Sequence, residues 1–269
     1  MAIATPVDTH FKLASAALAA GKHLLLEKPM TRTTAEADGL LALAEKNRRV
    51  LMVDHTFLFT PAVRQIKERI ARGELGALYF VDSVRINLGL IQPDVNVLWD
   101  LAPHDLSIIL HALPGRPQKV LAVGACHTGS GQADVAHLYL DYGGNLIAHI
   151  HSSWLSPVKV RQMVFGGARR TLIFNDLEPT EKIRLYEAGV ELGEQDEAGI
   201  YGMLASYRRG DILIPFLELK EALANEVAHF HDCITQGAAC VASGAFGREI
   251  IRILEAADKS LLSSTPTKL

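Results

Sequence analysis

Two short stretches of this chain carry residue types that could do chemistry together. In the first, Glu27-Lys28-Pro29 follows the apolar run His23 to Leu26, so a charged pair stands where a buried strand runs out. In an open parallel α/β sheet, ligands gather at the carboxyl ends of the strands, which is where Lys28 falls. The second is Trp99-Asp100-Leu101-Ala102-Pro103-His104-Asp105. Proline is tolerated only in the first turn of a helix, so a helix beginning close to Asp100 is expected there, with Asp100 and His104 four apart on one face. A carboxylate near an imidazole can fix its tautomer and raise its basicity, which is how a general base near neutral pH is made. Taken singly, each stretch has a plainer reading. Glu27-Lys28 could be a surface pair after a buried strand, and Asp100 with His104 an acidic helix start with a solvated histidine.

The elements that must position these residues can be read from periodicity and stop signals. Ile3-Ala4-Thr5 is the end of a buried strand, followed by Pro6, a helix starting at Asp8 or Thr9 and running to Ala20, and Gly21 as its stop. His23 to Leu26 is a second strand. Thr33 and Glu36 have capping-box spacing before a helix whose Ala37, Leu40, Leu41 and Ala44 share a face. Arg49 to Val53 is a third strand, and Thr60-Pro61 opens a helix that ends at Gly73. This alternation predicts a parallel sheet with crossover helices.

After Gly76 the pattern changes to strands separated by turns: 79–87, 118–127, 135–142, 146–154, 160–165, 171–175 and 182–186. Gly143-Gly144-Asn145 marks a hairpin. One helix, 103–113, interrupts them, and residues 188–215 read as a long loop with a short strand at 212–214. Helices over 217–236 and 246–262 close the chain. The expected fold class is α/β, with part of a parallel sheet over 1–75 and an α+β unit with a large, mostly antiparallel open sheet over 76–269.

Bulk properties bound the function. The chain has 269 residues, is 49% hydrophobic and 21% charged, and carries a net charge of −3, values ordinary for a folded globular protein. With no basic field, nucleic acid is not an expected partner. No apolar run approaches a membrane span, and Lys12, Lys22 and His23 interrupt the Ala- and Leu-rich segment that might suggest a leader, so a cytoplasmic protein is expected. Cys126, Cys233 and Cys240 form no CxxC pair, which argues against a disulfide framework or a zinc knuckle, and no metal site is expected.

Ile3-Ala4-Thr5-Pro6 with Thr9-His10, Ala19-Ala20-Gly21-Lys22-His23 running into Glu27-Lys28-Pro29, and Asp100 with His104 and Asp105 together resemble the glucose-fructose oxidoreductase/inositol dehydrogenase (Gfo/Idh/MocA) family. Ser243-Gly244, Gly247 and Ile253-Leu254-Glu255-Ala256-Ala257 with Ser260 resemble that family's last helix. The resemblance spans essentially the whole chain. It implies a Rossmann domain that binds NAD or NADP, followed by a sheet domain that walls the substrate site and assembles a homo-oligomer.

By the same resemblance, Lys28 lies beside the nicotinamide and the reacting oxygen, with Pro29 often in a cis peptide. His104 is the general acid/base, and Asp100 orients His104 or sugar hydroxyls. Thr5, Pro6, His10, Glu27, Lys28 and Pro29 would meet the cofactor. The substrate would be a sugar, cyclitol or nucleotide sugar, the last suggested by the run Asn87 to Asp100. Hydride transfer from an alcohol needs a proton acceptor at the oxygen and a cation to stabilise the developing alkoxide, which these residue types supply.

Two departures stand out. The family's glycine-rich G-x-G-x-x-G turn has no counterpart, so on the order of 70 residues of the domain would precede Met1. We expect a start placed too late, and an in-frame stop just upstream of Met1, with no glycine-rich turn encoded, would sink that reading. The second is Leu58, where family members often carry arginine.

Other candidates are weaker. Arg85, Asn87, Asn96 and Trp99 are assigned to the substrate pocket, though polar alternation at Arg85 and Asn87 equally predicts an exposed face. His149 and His151, with Trp154 nearby, share a strand face that reads best as solvated. His229 and His231, with Asp232, do not share a helix face, so no metal site is expected there, and Arg169-Arg170 after Gly166-Gly167 reads as a turn entering a strand. Two other functions compete: a truncated or non-catalytic paralogue serving ligand binding or assembly, and a zinc hydrolase using His55, His104 and Asp100, ranked last for want of an H-E-x-x-H spacing.

Overall fold

A computed structural model describes residues 1–92, 94–191, 206–218 and 220–269. Strands β1 (Ala2–Ile3), β2 (Leu24–Glu27) and β3 (Leu51–Asp54) form a parallel sheet in the order β1-β2-β3. They are linked by helices α1 (Val7–Ala19) and α2 (Thr34–Asn47). Leu24, Leu26, Met52 and Val53 are fully buried, as strands covered by crossover helices must be. The Thr33 hydroxyl accepts from Glu36 N–H and starts α2, as its spacing predicts. Thr60 does the same for α3 (Pro61–Ala71), which follows a short 3₁₀ turn over Thr56–Phe59.

The second sheet has nine strands and one helix inserted after its first strand. Its members are β4 (Leu78–Leu88), β5 (Lys119–Ala125), β6 (Val135–Asp141), β7 (Ile147–Ser153), β8 (Leu155–Gly167), β9 (Thr171–Asn175) and β10 (Ile183–Tyr186). After the small hairpin β11 (Gly189–Glu191) and β12 (Ser206–Arg208), it is completed by β13 (Ile212–Leu213) and β14 (Thr267–Lys268). The spatial order is β13-β10-β9-β8-β4-β7-β6-β5-β14. Every neighbouring pair is antiparallel except β4 with β7. Side chains alternate along each strand, so Val120, Ala122, Leu138, Leu140, Ala148, Ile150, Met163 and Phe165 form a buried inner face. Helix α4 (Val97–Ala112) covers that face.

Helix α6 (Gly244–Ser263) ties the two sheets together, packing on α2 and β3 at one side and on β5 at the other. A Cβ on Gly247 would fall 2.7 Å from Val53 Cγ2, so glycine is what allows this close approach.

Four expectations need correction. Helix α4 starts at Val97, three residues before Asp100, because the Asn96 side chain accepts from Leu98 and Trp99 N–H and caps it there. Pro103 therefore lies inside the helix, at the cost of one backbone bond to the Trp99 carbonyl. The strand expected at 160–165 is the middle of the 13-residue β8, which follows β4 along its length. Helix α5 (Ala222–Thr235) begins five residues later than expected, Leu217 instead packing into the core as irregular chain. Strands β11, β12 and β14 have too few residues for a periodic signal, and residues 192–205 of the expected long loop lie outside those described.

Candidate active site

The carboxyl ends of β1, β2 and β3 bring Thr5, Lys28 and His55 to one side of the parallel sheet. The Lys28–Pro29 peptide is cis. Lys28 Nζ donates to the Asp100 carbonyl at 3.0 Å and lies 3.7 Å from Asp100 Oδ1. The residues singled out at positions 28 and 100 are therefore in contact, and His104 follows one helical turn after Asp100.

Asp100 does not spend its carboxylate on His104. Oδ2 accepts from the indole N–H of Trp154 at 2.9 Å, while Oδ1 faces Lys28. Trp154 is the residue that sequence reasoning missed here. It lies between β7 and β8, is buried, and is pinned by Gly89, whose N–H donates to the Trp154 carbonyl at 2.9 Å. A Cβ on Gly89 would fall 2.4 Å from Trp154 Cδ1, so the glycine leaves room for the indole. Nothing in the local pattern around Trp154 announces a partner 54 residues away.

His104 packs edge-on against Phe57, with ring centroids 5.4 Å apart. Burial holds its pKa well below the ordinary histidine value, and the nearby positive charge of Lys28, then that of Arg85, presses it further down. At neutral pH the ring is therefore uncharged and able to accept a proton. Behind it, Arg85 makes a two-pronged ion pair with Asp105, both bonds 2.9 Å, and its guanidinium lies 4.9 Å from the Phe57 ring centre.

This corrects the assignment of Arg85 to a substrate pocket. It sits on the inner face of β4 beneath α4, where a charge survives only if paired, and it braces Phe57. Asn96 and Trp99 are likewise turned elsewhere. Asn96 caps α4 and donates to Asp258 Oδ1 at 2.8 Å, and the Trp99 indole donates to Asp258 Oδ2 at 2.7 Å, so both anchor α4 to α6. Asn87 lies half-buried near the end of β4.

Among the residues assigned to the cofactor, Thr5 and Pro6 are exposed at the head of α1. His10 is buried, its two ring nitrogens 2.7 Å from the Thr5 carbonyl and 2.9 Å from that of Pro29. It therefore joins the β1–α1 turn to the segment that follows Lys28. These residues fit the nicotinamide end of a dinucleotide, where a cation and a neutral imidazole meet a reacting oxygen. The backbone cradle for a pyrophosphate, a G-x-G-x-x-G turn, is not in this sequence.

A second polar cluster lies just behind the site. Glu27 and Asp54 are paired in register at the ends of β2 and β3, and Glu226 of α5 approaches Asp54. Burial, then the Asp54 charge, pushes Glu27 up to about 7 and Glu226 up to about 9. Glu226 is fully buried and therefore neutral at pH 7. A raised folded-state pKa contributes stability that is fully present below the unfolded value near 4.5 and is lost as pH rises towards 9. Glu226→Gln removes that loss. It is expected to stabilise the protein by on the order of 2–3 kcal/mol at pH 7 and by nothing at pH 4. Thermal melts at the two pH values decide it, and a gain equal at both would rule out a titrating Glu226.

On the outer face of the nine-stranded sheet, His137, His149 and His151 stack, with centroids 5.3 Å and 4.3 Å from that of His137. Tyr139 stacks on His149 at 4.7 Å. The shared face expected of His149 and His151 is real, and it lies on the opposite side of the sheet from α4. Arg169 and Arg170 lie in the turn between β8 and β9, as expected.

Comparison with known proteins shows the family and the fold. Residues 1–55 match the oxidoreductase family with an NAD-binding Rossmann fold, and residues 63–173 match the GFO/IDH/MocA C-terminal domain. A UDP-N-acetylglucosamine 3-dehydrogenase of Acidithiobacillus ferrooxidans is 28% identical over 254 residues, covering 93% of this chain and 75% of that protein. Its solved structure superposes with a TM-score of 0.79 over 97% of this chain and 79% of that one, at 26% identity. An NADP-dependent scyllo-inositol 2-dehydrogenase of Bacillus subtilis is 27% identical, covering 96% of this chain and 75% of that protein. An inositol dehydrogenase homologue of Azotobacter vinelandii, solved with NADH and myo-inositol, shares the fold with a TM-score of 0.81 at 22% identity, covering 100% of this chain and 77% of that one.

Proposed function

Because this chain belongs to the Gfo/Idh/MocA family of NAD-binding oxidoreductases, we propose that it oxidises a secondary hydroxyl of a sugar, cyclitol or nucleotide sugar, with Lys28, His104 and Asp100 as its working residues. The observation that carries the reading is the meeting of Lys28 with Asp100, one helical turn from a neutral His104. A bound nicotinamide would supply the hydride acceptor for oxidation and the hydride donor for reduction.

The protein's own groups handle the proton and the charge. His104 takes the hydroxyl proton in oxidation and returns it in reduction, its depressed pKa keeping the ring unprotonated until then. Lys28 stabilises the negative charge that grows on the oxygen. Asp100, held by the Trp154 indole, fixes where the Lys28 ammonium sits. Thr5 and Pro6, exposed beside Lys28, would hold the cofactor, with His10, Glu27 and Pro29 shaping the floor. Asn87 remains a substrate contact in this reading. The division into a cofactor-side unit over 1–75 and a substrate-side unit over 76–269 goes with it.

The relatives support the substrate class, since two of them are named for a nucleotide sugar and an inositol. An assay of nicotinamide reduction against UDP-sugars, inositols and free aldoses tests the reading. Turnover with one of these classes is expected, and a protein that binds NAD or NADP but oxidises none of them would overturn it. The outer sheet face, with Val123, Tyr139 and Ile147 exposed, supports self-association of this chain. Sedimentation analysis measures that directly, and a monomer at all concentrations would remove it.

A further inference from the structure

Helix α5 and the segment after it hold three soft ligands that the dehydrogenase chemistry does not use. His229 and Cys233 stand four apart on α5 and so share a face. Cys240 returns after the Gly237 turn, and the ligand atoms of all three lie within 4.8 Å of one another. From these positions we propose that His229, Cys233 and Cys240 form a binding site for a thiolate-seeking divalent metal of the zinc class.

The geometry is close to what such an ion requires. Tetrahedral zinc with ordinary bond lengths separates a nitrogen and a sulfur ligand by roughly 3.5 Å, and His229 Nε2 lies 3.4 Å from Cys233 Sγ. The imidazole also stands in the necessary tautomer. Val241 N–H donates to His229 Nε2 at 3.1 Å, so that nitrogen carries a lone pair, and a metal would take it in place of this bond.

Charge favours a divalent ion over a monovalent one. Two thiolates and a neutral imidazole around a 2+ ion leave no net charge, which suits a site where Cys233 is buried, Cys240 and His229 are half-buried, and the His229 ring packs 5.4 Å from that of Phe59. Both thiols are held protonated by burial, Cys240 up to about 12. Binding therefore releases two protons to solvent as two metal–sulfur bonds form, with no change of oxidation state. Three protein ligands leave the fourth position to water on the half-exposed side.

The site would fasten the end of α5 to β3. The segment after Cys240 runs beside that strand, with Val53 N–H donating to the Ala242 carbonyl at 2.8 Å and an antiparallel bridge between Met52 and Ser243. β3 leads directly to Asp54 and His55, so the clamp would act on the back wall of the proposed active site without touching a reacting group.

Titration of the reduced protein with cobalt(II) tests the proposal. A thiolate-to-cobalt charge-transfer band and the visible bands of a tetrahedral ion are expected to saturate at one equivalent and to vanish when zinc(II) is added. Cys240→Ser is expected to abolish the charge-transfer band, His229→Ala to weaken binding about tenfold or more, and Cys126→Ser to change nothing. Circular dichroism establishes that each variant is folded, and His229→Ala provides an arm independent of Cys240→Ser. No band at one equivalent, a band unchanged in Cys240→Ser, or one lost in Cys126→Ser would each overturn the site.

Discussion

Replacing Lys28 by methionine is expected to lower kcat for alcohol oxidation by about 10²–10³-fold, the usual effect of removing one group that stabilises a developing oxyanion. Methionine keeps an unbranched stem of similar length, so packing at the end of β2 is retained and the charge is deleted. What disappears is an ammonium held 3.0 Å from the Asp100 carbonyl and 3.7 Å from its carboxylate. KM for the alcohol should move far less than kcat, because the growing charge exists only in the transition state. Steady-state kinetics on the active holoenzyme measures the split, and an unchanged kcat would remove Lys28 from the mechanism.

Substituting His104 by asparagine should cost about 10²–10⁴-fold in kcat, the range for losing a positioned general base. The pH profile adds a sharper readout. Burial first and the Lys28 charge second keep His104 unprotonated well below the ordinary histidine range, so the rate of oxidation should stay level as pH falls through 6.5 and decline only in stronger acid. Lys28→Met removes one of those positive neighbours, and in its residual activity the acid limb should move to higher pH. An acid limb at the ordinary histidine value in the wild type, unmoved in Lys28→Met, would assign the limb to another group.

The lowered pKa of His104 also has a consequence for stability. A histidine depressed in the folded state contributes stability that is present above the unfolded value of 6.5 and is lost as pH falls towards the folded one. His55, buried with neither ring nitrogen hydrogen-bonded among the described residues and pushed down to about 4, acts in the same direction. Acid unfolding that begins below pH 6.5 is the expected signature.

Much of this was legible in the sequence because it is local. Thr33 and Thr60 announced helix starts, Gly143-Gly144 a hairpin, and the alternation along β6 and β7 a sheet with one buried face. Lys28 and His104 stand out through their places at a strand end and on a helix, with several short motifs in order pointing to one family. The start of α4 was misplaced for an equally local reason. Pro103 is a strong signal against a helix interior, yet the Asn96 cap and the packing of α4 on the sheet outweigh one missing backbone bond.

The sequence by itself thus determined the fold class and the family, and it singled out the lysine and histidine to which we assign the chemistry. Only the tertiary structure decided what surrounds them: that Asp100 answers to Trp154, that Arg85 is locked to Asp105 behind Phe57, and that His229 belongs with Cys233 and Cys240 rather than with His231. The reason is that periodicity records which residues share a face within one element. The partner across that face comes from another part of the chain, 72 residues away for Lys28 and Asp100 and 54 for Asp100 and Trp154. It is selected by the packing of whole elements, because a buried charge or hydrogen-bonding group must be matched by whatever the fold brings opposite it.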